Sequence, residues 1–215
     1  MPIVFDLKID EHTELSVWKI EESHDQLLSG LQLKQHEIDV IESFKSDKRA
    51  LQWLSTRLLL RTMLDTKEYI DCQMDDHGKP YLVNYDYHIS LSHSYDYAAV
   101  MISRDSTKKV GLDMEMIKHK IKLVRHKFLS DVELAQKQIG NNIDGLYVCW
   151  CAKEAIYKWH GKKELEFKRD IHIKPFKLRE EGDLHTLVKL PEGTRELEVN
   201  YFKTADGYML AYVIG

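Results

Sequence analysis

From Leu146 to Trp159 the chain reads LYVCWCAKEAIYKW, a run in which only Lys153, Glu154 and Lys158 carry charge. A helix that is apolar nearly all round is a buried one. The run therefore dictates a core helix, placed at roughly Ile143 to His160. Charges on such a helix are costly unless they pair or face a ligand. Glu154 and Lys158 stand one turn apart in the favourable Glu-before-Lys order, so a simple ion pair is the plain reading. The apolar surroundings argue instead for a site.

The rest of the chain arranges itself about this helix. "PIVFDLKI" and "ELSVWKI" alternate as strands do. From Glu21 to about Leu64 the pattern is helical, with Leu51, Leu54, Leu58 and Leu59 at helical spacing and Ser46 or Asp47 as a cap. Arg49, Arg57 and Arg61 recur on or near one face, the pattern of a basic solvent face. "DDHGKPYL" is a turn that carries Lys79 between Gly78 and Pro80. "YHISLSHS", "YAAVMIS" and "KKVGLDMEMI" read as strands, and Ser130 with Glu133 as a capping box. After the core helix the chain is β-rich, with turns expected at Glu181–Asp183, Pro191–Gly193 and Asp206–Gly207. The order strands, helices, strands occurs twice, and "DYAAVMIS" is echoed by "GYMLAYVIG". An α+β chain of two similar halves follows, residues 1–105 and 106–215.

Composition narrows the function classes. The 215 residues are 43% hydrophobic, with ten Gly and four Pro, which leaves no long disordered span. A net charge of −4 gives no global case for nucleic-acid binding. Cys72, Cys149 and Cys151 are too few and too poorly spaced for a disulfide framework or a zinc site, and Cys149 and Cys151, inside the apolar run, read as small buried hydrophobes. No segment approaches a membrane span, and the opening stretch lacks a cleavable pattern. A reducing cytoplasm is the expected location. The exception to the acidic balance is a basic island, "KHKIKLVRHK", Lys118 to Lys127. It is either a solvated face or a docking patch for an acidic partner.

In "VGLDMEMI" period two sends Asp113 and Glu115 to the same side of a strand. Alone, the pair could be two acids on a solvated face. Joined by Glu154 they make an all-carboxylate set, suited to Mg²⁺ or Mn²⁺ rather than Zn²⁺. Lys153 and Lys158 would add positive charge, as a polyphosphate requires. Ser92, His93 and Ser94 lie at a strand end and could donate to phosphate oxygens, and Lys79 is a further anion contact. A Ser-His hydrolase is disfavoured, because no G-x-S-x-G elbow is present.

"GLDMEMI" and "WCAKEAIYK", about forty residues apart, resemble the paired G-x-D-x-E and W-x-x-K-E-A-x-x-K motifs of the 4′-phosphopantetheinyl transferases. "GKPYL", "ISLSHS" and the arginine-bearing "KRALQWLSTRLLLR" resemble further motifs of that family. Length and order resemble the larger, monomeric Sfp-type class. The resemblance covers roughly Arg49 to Lys158. It implies two similar α+β halves with the active site in the cleft between them. It also implies Mg²⁺-dependent transfer of 4′-phosphopantetheine from coenzyme A to a serine of an apo acyl or peptidyl carrier protein, with release of adenosine 3′,5′-bisphosphate. Under it, Asp113, Glu115 and Glu154 hold the metal, and Glu154 also acts as the base or orients it. Lys158 and Lys153 meet the pyrophosphate, and Ser92 and His93 the coenzyme A phosphates. Lys79, Arg49 and Arg57 hold the nucleotide end. The carrier would dock near Lys118–Lys127. The alternatives are an inactive coenzyme A-binding relative and another Mg²⁺-dependent phosphodiesterase.

Overall fold

The alternation noted at the start of the chain becomes an antiparallel pair, β1 (Ile3–Lys8) and β2 (Thr13–Lys19). The computed structural model describes residues 3–215; Met1 and Pro2 lie outside the described residues, Pro2 having been placed in the first strand. Two compact units are present, Met1–Asp75 with Pro80–Thr107, and Asp76–Lys79 with Lys108–Gly215.

In the first unit the expected helical region resolves into α1 (His24–Ser29), α2 (Gln35–Glu42) and α3 (Asp47–Met63). The breaks fall where Gly30 and Ser43 end α1 and α2, and Ser23 with Gln26 makes a full capping box at the start. A short ribbon, β3 (Cys72–Met74) with β4 (Pro80–Leu82), precedes β5 (His88–Ser94) and β6 (Tyr97–Ser103). Four antiparallel strands lie in the order β1-β2-β6-β5. Leu54, Leu58 and Leu59 of α3 share one core cluster with Trp18, Ile89 and Val100 of that sheet.

This core corrects the expected basic solvent face of α3. Arg57 is only 8% exposed, with its guanidinium 4.4 Å from the Trp53 ring centre. Arg61 donates to the carbonyls of Gly30, Thr66 and Lys67 and so clamps the chain around the helix end. Of the three arginines only Arg49 is exposed, beside the Phe44 ring.

The second unit opens with β7 (Val110–Met116) and the helices α4 (Ile121–Phe128), α5 (Asp131–Leu134) and α6 (Ile143–His160). There follow α7 (Phe167–Asp170), β8 (Ile171–Ile173), β9 (Glu181–Leu190), β10 (Gly193–Lys203) and β11 (Tyr208–Ile214). The five strands are antiparallel in the order β7-β11-β10-β9-β8. Asn142 caps α6 by accepting from Gly145 N, and Gly161, at φ 75°, closes it in the left-handed conformation that glycine takes without penalty.

Helix α6 buries Leu146, Val148, Ile156 and Trp159 in the core cluster that also holds Val199, Met209 and Val213 of the sheet. Each such side chain contributes about 1.5–3 kcal/mol. Together they outweigh the several kcal/mol needed to desolvate one ammonium, so the helix tolerates a charge inside. The tips at Pro191–Glu192 and Gly207 are turns, as expected, with Gly193 and Gly207 at positive φ. Glu181–Asp183 is not a turn: those residues are the start of β9 and pair with Asn200–Phe202. "EFKRD", read as strand, makes the short helix α7, capped by Glu166 N donating to Asp170 Oδ2. The architecture is α+β, and among the described residues no helix is long and apolar enough to cross a membrane.

Candidate active site

Gly111, Asp113 and Glu115 share one side of β7, and α6 lies against that side. A Cβ at Gly111 would stand 2.0 Å from Ala155 O and 2.7 Å from Trp159 N. Only a residue without a side chain allows the helix backbone this close, which is what a glycine inside a strand often marks. The approach sets Glu154 and Lys158 opposite the two strand acids.

Asp113 is 5% exposed, and its Oδ1 accepts from Lys158 Nζ at 2.9 Å. The ion pair of Lys158 with Asp113 is therefore strand to helix, and not the plain Glu154–Lys158 pair along α6 that the apolar surroundings argued against. Glu154 is held up to about pKa 7, first by burial and then by the negative charge of Asp113 and Glu115, against the pull of Lys158. Burial first, and then the negative charge of Asp113 and Glu115, hold the Cys151 thiol, directed at Met209 O, well above its ordinary value. Cys149 and Cys151 are free and buried, so the reading of small hydrophobes holds for them, and Cys72 is free and buried as well.

The donor set suits a hard divalent cation in its chemistry. Asp113 and Glu115 both act on Glu154 through their negative charge, and Lys158 opposes them. The set is not closed on a point: among the described residues no three His, Cys, Asp or Glu side chains are already disposed as metal ligands. Lys158 takes one Asp113 oxygen instead.

Lys153, expected at a phosphate, is elsewhere. It is 0% exposed, and its ammonium donates to Glu133 Oε2, Phe167 O and Ile171 O at 2.9, 2.9 and 2.8 Å. Those three bonds use all three of its N–H groups, so none remains for a ligand. Successive helix residues point about 100° apart, which is how Lys153 turns inward while Glu154 meets β7. Lys79 donates to the last carbonyls of α6, Lys158 O at 2.6 Å and Trp159 O at 3.1 Å, a favourable place for a cation.

Residues 109–213, from the first strand of this unit to its last, match the family model of the 4′-phosphopantetheinyl transferase superfamily, ACPS. The match covers just under half of the chain, and this segment is similar to that superfamily. No curated protein matches the chain. Asp113, Glu115, Lys153, Glu154 and Lys158 all lie inside the superfamily segment. Lys79, Arg49, Arg57, Ser92 and His93 lie before it, and the last four belong to the first unit. Ser92 and His93 are neighbours on β5 and point apart, Ser92 buried and His93 exposed. Gly111, a glycine within a strand of larger residues, is the sequence signal of the close approach of α6, and Glu133 accepts from Lys153 besides capping α5.

Proposed function

We propose that this protein transfers the 4′-phosphopantetheine arm of coenzyme A to a serine of an apo carrier protein, as an Sfp-type member of the superfamily. What supports the reading is the Lys158–Asp113 ion pair between α6 and β7, with Glu154 on α6 within the electrostatic influence of Asp113 and Glu115, inside the segment that matches the superfamily. The two strand acids and Glu154 would hold Mg²⁺, which would supply positive charge to neutralise the pyrophosphate. Lys158, already fixed at Asp113, balances charge on the same pyrophosphate. Serine is a weak nucleophile at neutral pH and needs its proton removed. A carboxyl poised near neutrality is matched to that task, so Glu154 takes the proton as the serine oxygen bonds to phosphorus. The bond from phosphorus to the adenosine-side phosphate breaks, and adenosine 3′,5′-bisphosphate leaves. By resemblance, Ser92, His93 and Arg49 contact coenzyme A. Arg57 is withdrawn from that set by its burial, and Lys153 by its three filled bonds.

The carrier docks on α4 in this reading. Lys120, Lys122 and Lys127 are exposed there, Leu123 is 76% exposed, and no acid occurs from Ile117 to Ser130. Beside them an open cleft of about 510 Å³ is lined by Val124, Phe128, Trp150 and Phe167. Arg125 is not part of the docking charge, because it is tied to Gly140 O and Asn141 Oδ1.

The test is intact-mass analysis of apo carriers incubated with the protein, coenzyme A and Mg²⁺. One added phosphopantetheinyl group is expected. No gain with several carriers, together with tight coenzyme A binding, would replace this reading with an inactive binder. In the same assay Lys120→Glu with Lys122→Glu should raise KM for an acidic carrier about tenfold while leaving KM for coenzyme A unchanged. Unaltered carrier kinetics would remove α4 from the docking surface.

A further inference from the structure

Lys153 and Glu133 form an ion pair in which neither partner reaches solvent: the side chains are 0% and 3% exposed. Glu133 is as fully engaged as Lys153. Its Oε2 accepts from Ser130 N at 2.8 Å and Ser130 Oγ at 2.9 Å, and its Oε1 from Ile173 N at 3.0 Å. One buried hub therefore joins α6, the cap of α5, the first residue of α7 and the start of β8.

Such a pair is a poor device for stability alone, since well-packed apolar residues of similar volume commonly replace a buried pair without loss. Its bonds are directional, which apolar packing is not. Three acceptors from three separate segments fix the rotation of α6 at Lys153. Glu154 is the next residue, so the same rotation sets where its carboxyl stands opposite Asp113 and Glu115. The hub also holds Phe167, whose ring packs edge-on against Trp150 and Tyr157, with centroids 5.8 Å from each, on the less buried side of α6.

We propose that Lys153 and Glu133 are positioning residues, a buried pair that orients Glu154 for cation binding and transfer without touching either substrate. The proposal rests on the transferase reading above. It is tested with the full chain carrying Glu133→Leu and Lys153→Met together, beside Lys153→Met alone. The single variant strands a buried carboxylate and should melt far below wild type. The double variant should recover most of that melting temperature. It should still bind Mg²⁺ about tenfold or more weakly, read by calorimetry and by the Mg²⁺-induced rise in Tm, with kcat reduced and KM for the carrier unchanged. Glu133→Gln is the milder probe should the double variant fail to fold. It keeps an acceptor for Ile173 N and removes the charge, and weakened Mg²⁺ binding by a folded E133Q supports the inference. A wild type with no response to Mg²⁺ overturns the transferase reading. A wild type that responds, beside a folded double variant or E133Q with the same affinity and kcat, overturns the positioning role alone.

Discussion

Glu154→Gln is expected to lower the rate of phosphopantetheine transfer by about 10³-fold or more while leaving the protein folded. The substitution keeps the shape of the side chain and removes a ligand charge and a proton acceptor together. Its effect on stability runs the other way, and pH exposes it. The folded-state carboxyl sits near 7, above the ordinary 4.5, so between these values the folded chain holds a proton that the unfolded chain has released. Metal-free protein should therefore be most stable at or below about pH 4.5 as far as this group is concerned, and lose that contribution as pH rises to about 7. In Glu154→Gln that slope should flatten, and the metal-free variant should melt above wild type near pH 8. Mg²⁺ should stabilise wild type more at about pH 8 than at about pH 5, because the cation competes with the proton for the same oxygens. Thermal melts across pH, with and without Mg²⁺, check all of this. A wild-type slope identical to that of the variant would show that Glu154 titrates as an ordinary carboxyl.

The second large effect belongs to Gly111→Ala. The new methyl would meet Ala155 O at 2.0 Å and Trp159 N at 2.7 Å. Both are backbone atoms of a helix held on its other side by the core, so neither can swing aside as a flexible side chain would. The helix must move off β7, and an overpacked core of this kind loses about 3 kcal/mol. For a protein of this size that is a fall in Tm of about 10 °C. The displacement also carries Glu154 and Lys158 away from Asp113, so the folded fraction should show a weaker Mg²⁺ response than wild type. Alanine tolerated with wild-type Tm and metal response would mean that the close approach of α6 to β7 is not what sets the site.

Much of this site was legible in the chain because it rests on short-range periodicity. Alternation in "VGLDMEMI" put Asp113 and Glu115 on one side of a strand, and a capping box marked Ser130 and Glu133; both arrangements are present. The apolar run marked α6 to within the residues it occupies. What periodicity could not supply was the partner of each charge. On a helix buried nearly all round, no polar face shows which charged residue turns inward, so Lys153 and Glu154 looked alike. Only the acceptors at Glu133, Phe167 and Ile171, distant in sequence, separate them. Arg57 was misplaced for a related reason. Arginine spacing suggests a shared face, but the Trp53 ring and the core around α3 take that side chain out of solvent. The turn expected at Glu181–Asp183 gave way because β10 offers Asn200–Phe202 as a ladder, and backbone pairing outweighs the turn propensity of Gly182 and Asp183.

In the proposed function two carboxylates of β7 and one of α6 serve a single divalent cation beside Lys158. Its most direct test is Mn²⁺ binding followed by electron paramagnetic resonance, on wild type and on Asp113→Asn, Glu115→Gln and Glu154→Gln singly. One bound ion per chain is expected in wild type, tightened by coenzyme A, with about tenfold or greater weakening in each of the three variants. Retention of wild-type affinity in all three, or binding that ignores coenzyme A, would contradict it.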